Sequence, residues 1–210
     1  MSAPSMTLFH SPASPFVRKV MVLLHETGQL DRVAINSIAL SPISPDSELN
    51  LDNPAGKIPA LRLADGNVLH DSRVILDYLD HQHGGNPLIP RDGSARWRRL
   101  TLASLADAIL DAAVLIRYET FLRPVEKHWD LWLDNQQEKI ERALAYLERD
   151  CVAELNASFD IAAISVACAL GYLDFRMPTL DWRSQQPQLA KWYAEVSQRP
   201  SLKATEPPAA

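Results

Sequence analysis

Two serine hydroxyls precede the first helical segment of the chain, where they could stabilise a bound anion. Ser14 is followed by Pro15 and Phe16, and Ser11 lies three residues earlier. Serine is a favoured N-cap and proline a favoured first helical residue, so a capped helix alone explains this pattern. A helix N-terminus also carries unpaired N–H groups and about half a positive charge, which stabilise a thiolate. The pattern therefore indicates either a helix cap or a hydroxyl that activates a bound thiol.

A second candidate site surrounds Pro59, which opens a predicted strand after Lys57 and Ile58. A cis proline at this point would leave the backbone N–H and C=O of Ile58 free to pair with a peptide-like ligand. About one X–Pro bond in twenty is cis in folded proteins, so the local sequence by itself favours the trans form.

A third candidate site is the pair Asp71 and Ser72, at the start of another helical segment. Ser72 is predicted to cap this helix. The pair also suits the head of an α-amino acid. The Ser72 hydroxyl and backbone N–H would hold its carboxylate at the helix N-terminus, and the Asp71 carboxylate would hold its ammonium group.

The elements that position these residues alternate between strand and helix. Strands are predicted at residues 7–10, around Val33 and Ile35, and in a hairpin over 59–63 and 67–70 that turns at Asp65-Gly66. Residues 41–56 are predicted to be a loop with one helical turn. The order β-α-β-β-β-α requires a parallel crossover followed by an antiparallel hairpin, which gives a mixed sheet with helices packed on it. In this order the three candidate sites can share one edge of the sheet.

The rest of the chain carries helical patterns only. Residues 83–92, HGGNPLIPRD, contain two glycines and two prolines and are typical of a linker. Residues 160–173 are nearly all apolar, which predicts a buried central helix. We therefore predict an α/β domain over residues 1–82, a linker over 83–93 and an all-α helical-bundle domain over 94–210.

The composition excludes several classes of protein. The chain has 210 residues, 47% of them hydrophobic, and a net charge of −5, which excludes extensive disorder and disfavours general nucleic-acid binding. It contains no run of about 18 apolar residues and begins without a secretory signal, so we expect a cytoplasmic protein that does not interact with membranes. Cys151 and Cys168 lack metal-ligand spacing, and His81 and His83 have no third ligand nearby, so no metal site is expected.

The motifs together resemble those of cytosolic glutathione transferases. The resemblance lies in the segments LFHSPASPFVRKVMVLLHETG, NPAGKIPAL, LHDSRVILDYL, GGNPLIPRD and FDIAAISVACALGYLDFR. It spans essentially the whole chain, and within the family the sequence is most similar to bacterial YibF-type proteins. The resemblance implies a thioredoxin-like N-terminal domain, an all-helical C-terminal domain and a homodimer. It also implies a detoxification activity in which the thiol of glutathione, a co-substrate rather than a cofactor, attacks a small hydrophobic electrophile.

The resemblance assigns the activating role to the residue at the N-terminus of the first helix. In this sequence that residue is Ser14, with Ser11 as the alternative donor. Omega-class and glutaredoxin-like relatives carry Cys-Pro-Phe or Cys-Pro-Tyr at this position. The Ser-Pro-Phe found here implies activation by a hydroxyl rather than disulfide exchange through an enzyme cysteine.

The resemblance also implies a glutathione-binding set. Pro59 matches the family's cis-proline, Ile58 matches the residue that pairs with the cysteinyl backbone of glutathione, and Lys57 matches a position that often approaches the peptide. Asp71 and Ser72 match the site for the γ-glutamyl group, where relatives usually carry Glu or Gln before Ser.

Aromatic residues near the end of the first long helix, Tyr118 and Phe121, fall where the family binds its hydrophobic co-substrate. Ordinary packing, in the core or at a dimer interface, is the other interpretation. Two further functions are also considered. One is a non-catalytic glutathione-binding or interaction protein on the same scaffold, and the other is a thiol-disulfide reductase, which would require a cysteine at position 14.

Overall fold

The structure, a computed structural model, describes residues 4–208. The chain divides into two compact units, residues 4–87 with 204–208 and residues 88–203. The division lies inside the segment proposed as a linker. Residues 204–208 group with the first unit, whereas the sequence assigned them to the helical domain, and the Arg18 Nε–H donates a hydrogen bond to Thr205 Oγ1 at 3.5 Å.

The first unit is built on a mixed sheet of four strands in the order β2-β1-β3-β4. Its elements are β1 (Met6–His10), α1 (Pro15–Glu26), β2 (Val33–Ser37), α2 (Ser47–Asp52), β3 (Ala60–Arg62), β4 (Val68–Leu69) and α3 (Ser72–Asp80). β1 is parallel to β2, and β3 is antiparallel to both β1 and β4. The predicted β-α-β-β-β-α order and mixed sheet are therefore confirmed, with α2 as the helical turn in the predicted loop.

Sequence features explain where α1 begins and ends. Ser14 is its N-cap and Pro15 its first residue, as the sequence predicted. The side chains of its inner face, among them Val17, Val20 and Leu24, are fully buried. Gly28 follows with a φ of 64°, a left-handed conformation that residues with a Cβ rarely adopt, so the helix cannot continue past it.

The second unit contains only helices among its described residues. They are α4 (Gly93–Leu122), α5 (Asp130–Asp150), α6 (Val152–Ala157), α7 (Ile161–Arg176), α8 (Trp182–Gln185), α9 (Pro187–Val196) and α10 (Pro200–Lys203). α4 packs against α5 and α7. Every residue of α7 from Ile161 to Leu173 is buried, so the predicted central helix is confirmed. No helix within residues 4–208 has the length and apolar character needed to cross a membrane.

Candidate functional site

Ser14 can cap α1 and donate a hydrogen bond at the same time. Its Oγ accepts the Val17 N–H at 3.3 Å, which is the capping interaction. Its hydroxyl proton has no acceptor within residues 4–208, and the side chain is half-buried. The two interpretations left open by the sequence are therefore compatible, because capping uses the oxygen as an acceptor and activation uses the proton.

A backbone group beside Ser14 adds a donor that the sequence analysis did not identify. In the first turn of α1, Pro15 has no N–H, and Ser14 accepts the Val17 N–H through Oγ and the Arg18 N–H through its carbonyl. The Phe16 N–H has no partner among the described residues. The start of α1 thus offers one hydroxyl and one backbone N–H to an anion.

Ser11, the alternative donor, lies in the turn between β1 and α1. Its carbonyl accepts the Ser14 N–H at 3.0 Å, so the two serines are joined through the backbone. Its side chain is also half-buried. The structure therefore places both hydroxyls at the start of α1, but only Ser14 belongs to the helix cap.

The Ile58–Pro59 peptide bond is cis in the structure, whereas the local sequence alone favoured the trans form. The Ile58 side chain packs against the buried cluster of Phe9, Leu49 and Ala60. Its backbone N–H and C=O have no hydrogen-bond partner within residues 4–208. Ile58 therefore combines an anchored side chain with a backbone that can still bind a peptide.

Asn53 holds the loop that carries the exposed Lys57, a role that the sequence analysis missed. Its Nδ2 donates to the Lys57 carbonyl at 2.7 Å, and its Oδ1 accepts the Ala55 N–H at 3.0 Å. The side chain is 1% exposed. An asparagine before a proline predicts a turn, and that was the one available signal.

The cap of α3 differs from the prediction. Asp71, not Ser72, is the N-cap, because Asp71 has the extended backbone of a cap residue and its Oδ1 accepts the Arg73 N–H at 2.9 Å. Ser72 is the first helical residue, is buried, and makes no side-chain hydrogen bond within the described chain. The Ser72 hydroxyl therefore remains available to a ligand, and the second carboxylate oxygen of Asp71, an exposed group 3.9 Å from Arg73 Nε, can also reach one.

The strand register brings these residues of the first unit together. Phe9 at the end of β1 pairs with Ala60 at the start of β3, and Leu61 pairs with Leu69 at the end of β4. The segments that follow β1, precede β3 and follow β4 consequently meet at one edge of the sheet. These segments carry Ser14, Ile58 and Asp71, an arrangement that the predicted strand order allows.

His10, the last residue of β1, also lies at this edge. Burial holds its pKa below the ordinary value of 6.5, and its Nδ1 has no hydrogen-bond partner among the described residues. The folded protein therefore favours the neutral imidazole.

The free energy of unfolding is expected to fall as the pH drops below 6.5, because the unfolded chain then binds a proton that folded His10 resists. Urea denaturation at pH 7.5 and at about pH 5.5 measures this loss. His10→Gln removes the titrating ring and should lose less stability over the same interval. An identical loss in wild type and variant would assign the effect to other groups.

Tyr118 and Phe121 lie on α4 in the second unit. Their exposed fractions are 39% and 64%, which argues against a core role. Burial of the Tyr118 hydroxyl raises its pKa above the ordinary value of 10.0. The Arg117 guanidinium carbon lies 3.6 Å from the centre of the Phe121 ring.

Both cysteines of the chain are buried in the second unit, and neither forms a disulfide. Burial is the largest influence on the Cys151 thiol and raises its pKa, so the thiol stays protonated at neutral pH. Position 14 holds serine, so a reductase mechanism through a cysteine at the start of α1 is excluded.

Comparison with known proteins agrees with this architecture. The profile of the glutathione S-transferase N-terminal domain matches residues 8–87, and that of the C-terminal domain matches residues 130–195. The uncharacterized GST-like protein YibF of Escherichia coli K12 is 34% identical over 207 residues, which cover 98% of this chain and 100% of the relative.

Solved structures of glutathione transferase family members are also similar to this chain in fold and sequence. A glutathione transferase family member from Pseudomonas fluorescens Pf-5 with bound glutathione has a TM-score of 0.97 and 72% identity, covering 98% of this chain and 100% of that one. A second structure from that organism, with bound S-(propanoic acid)-glutathione, has a TM-score of 0.92 and 70% identity, over 97% of this chain and 100% of that one. The predicted resemblance is confirmed, and the chain belongs to the glutathione S-transferase family.

Proposed function

We propose that this protein is a glutathione S-transferase that binds glutathione along the sheet edge of the first unit. The observation that carries the proposal is a set of hydrogen-bonding groups at that edge that have no partner among the described residues. The set comprises the Ser14 hydroxyl, the Phe16 N–H, the Ile58 backbone and the Ser72 hydroxyl. Buried and half-buried polar groups normally find partners, so such a set is typical of a binding site.

In this proposal each part of glutathione has its own partner. The Ile58 N–H and C=O pair with the cysteinyl backbone beside Pro59, and Lys57 approaches the peptide with its ammonium group. The Ser72 hydroxyl and the Asp71 carboxylate hold the γ-glutamyl head. The bound glutathione in the relative from Pseudomonas fluorescens, at 72% identity, supports this assignment.

Ser14 is proposed to stabilise the thiolate. A cysteine-type thiol with a pKa of about 8.5 is only about 3% ionised at pH 7, and a decrease of about 1.5 pH units in its pKa raises that fraction to about half. The sulfur lone pair then forms a bond to the electrophilic carbon, and the leaving group departs with the bonding electrons. The thiol proton is released to solvent before this step.

The electrophile is proposed to be a small hydrophobic molecule bound by Tyr118 and Phe121. The S-(propanoic acid)-glutathione bound in the second structure from Pseudomonas fluorescens is a glutathione thioether, the product type of this reaction, which supports transfer to sulfur. We further propose a cytoplasmic homodimer that acts in detoxification, on the strength of family membership. The absence of a disulfide at Cys151 and Cys168 fits a reducing compartment.

Calorimetry with glutathione, together with conjugation assays over a panel of aryl halides, epoxides and enones, tests the proposal. We expect saturable glutathione binding and turnover of at least one of these classes of electrophile. Binding without turnover across the panel would instead favour a glutathione-binding or interaction protein. Absence of binding at millimolar glutathione would contradict both functions.

Asp71→Asn is expected to weaken glutathione binding about fivefold, because it removes the negative charge proposed to face the γ-glutamyl ammonium. The amide oxygen still caps α3, so the fold is retained. Calorimetric titration with glutathione measures the change. Asp77→Asn, on the same helix, is the matched control and should bind as the wild type does. Equal affinity of Asp71→Asn and wild type would remove Asp71 from the site.

A further inference from the structure

Two arginines of the second unit lie on helices that pack against each other, Arg117 on α4 and Arg176 at the end of α7, and their like charges repel. Burial and the positive charge of Arg176 both lower the pKa of Arg117. Both side chains are half-buried. Like charges that are partly removed from water are unfavourable unless an anion compensates them.

No carboxylate within residues 4–208 forms an ion pair with either arginine. The acidic residues nearest to them in sequence are already engaged. Glu119 pairs with Arg123 at 2.7 Å, and Asp174 pairs with Arg183, whose Nη2 lies 2.7 Å from Oδ2. The two positive charges of the pair are therefore not compensated by a carboxylate in the described part of the chain.

Aromatic rings fix the orientation of both guanidiniums. Arg117 stacks on Phe121 at 3.6 Å, and Arg176 stacks on Phe175 at 3.7 Å from guanidinium carbon to ring centre. Tyr172 packs edge-on against Phe175, with ring centres 6.4 Å apart. Stacking uses the flat face of a guanidinium and leaves its N–H edge for hydrogen bonds, and the edge of Arg176 also faces the Tyr172 hydroxyl. That edge matches the two oxygens of a carboxylate.

We propose that Arg117 and Arg176 together bind a carboxylate on the electrophile, so that the preferred co-substrate is a hydrophobic acid rather than a neutral molecule. The inference rests on the proposed function, because Phe121 and its neighbour Tyr118 are the residues proposed to bind the electrophile. The apolar body lies against these rings, and the acid group compensates the paired charges. The carboxylate takes no part in bond making.

A matched pair of aryl chlorides tests the proposal, chlorodinitrobenzene and its acid analogue chlorodinitrobenzoate. In both, the glutathione sulfur forms a bond to the ring carbon, and chloride leaves with the bonding electrons. Arg117→Gln and Arg176→Gln should each raise the KM of the benzoate about tenfold. The KM values of chlorodinitrobenzene and of glutathione should stay within about twofold of wild type. Arg123→Gln is the control, because Arg123 is an exposed arginine at the C-cap of α4 that pairs with Glu119, and it should change none of these KM values.

Binding of the two glutathione conjugates, measured by calorimetry, separates this proposal from the transferase function because it needs no turnover. Wild type should bind the acid conjugate more tightly, and both glutamine variants should lose that preference while Arg123→Gln and Arg176→Lys retain it. Equal affinity of wild type for both conjugates would overturn the anion site and leave the transferase function standing. A preference for the acid conjugate without any turnover would overturn the transferase function alone. Failure of glutathione and both conjugates to bind would overturn both.

Discussion

Replacement of Ser14 by alanine is expected to raise the pKa of the bound glutathione thiol by about one unit and to lower kcat at neutral pH about fivefold, because the ionised fraction of the thiol falls from about half to about a tenth. The Ser14 hydroxyl is a half-buried donor without an acceptor in the described chain, at the positive end of α1. A hydrogen bond to a charged acceptor contributes about 1.5–3 kcal/mol, and the lower end of that range corresponds to about one pKa unit. Ultraviolet absorbance of the thiolate, followed against pH in the complex, measures the pKa directly.

The double role of Ser14 needs a control, because alanine also removes the cap of α1 at a cost of about 1 kcal/mol. Glycine also lacks the hydroxyl, but as an N-cap residue it lowers the free energy of unfolding by only a few tenths of a kcal/mol. Ser14→Gly and Ser14→Ala should therefore share the raised thiol pKa and differ in stability. Ser11→Ala should leave the thiol pKa unchanged. A shift in Ser11→Ala without one in the Ser14 variants would transfer the role to Ser11.

Elements with a long periodic pattern could be predicted from the sequence. α7 is apolar on every side and is buried on every side, and α1 has a cap, a proline and a terminating glycine. Short helices such as α8 and α10, with four residues each, contain too little periodicity to be distinguished from turns. Their position is decided by tertiary packing.

The same distinction applies to the site. The Ser14 hydroxyl is visible in the sequence because its side chain carries the chemistry. The Phe16 N–H and the Ile58 backbone, which lack hydrogen-bond partners within residues 4–208, cannot be identified from the sequence. Every residue has a backbone, and only the fold decides which backbone groups lack partners. The Asp71 cap was assigned to Ser72 because two good caps are adjacent, and only the dihedral angles distinguish them.

The Arg117–Arg176 pair shows a further limit of the sequence. The two arginines lie on different helices, and either one alone is an ordinary surface cation. Their significance comes from the packing of α4 against α7 and from the absence of a carboxylate partner for either within residues 4–208. Neither fact can be read from spacing or composition.

Asp160→Ala is expected to lower the free energy of unfolding by about 2–3 kcal/mol. Asp160 caps the central helix, since its Oδ1 accepts the N–H groups of Ala162 at 3.0 Å and Ala163 at 3.3 Å. Its Oδ2 lies 2.8 Å from Arg99 Nε and accepts the Ser158 hydroxyl at 2.7 Å. Loss of a cap costs about 1 kcal/mol, and loss of a charged partner from a mostly buried guanidinium adds about 1–2 kcal/mol.

Asp160→Asn separates these two contributions, because asparagine caps a helix as well as aspartate but carries no charge. It should lose about half as much stability as the alanine variant. Arg99 retains Glu154, whose Oε1 lies 3.0 Å from Nη1, so the guanidinium is not left unpaired. Urea denaturation followed by the helical signal measures all three proteins. Equal losses in the two variants would mean that the ion pair alone stabilises this end of α7, and a loss below about 1 kcal/mol in Asp160→Ala would contradict both contributions.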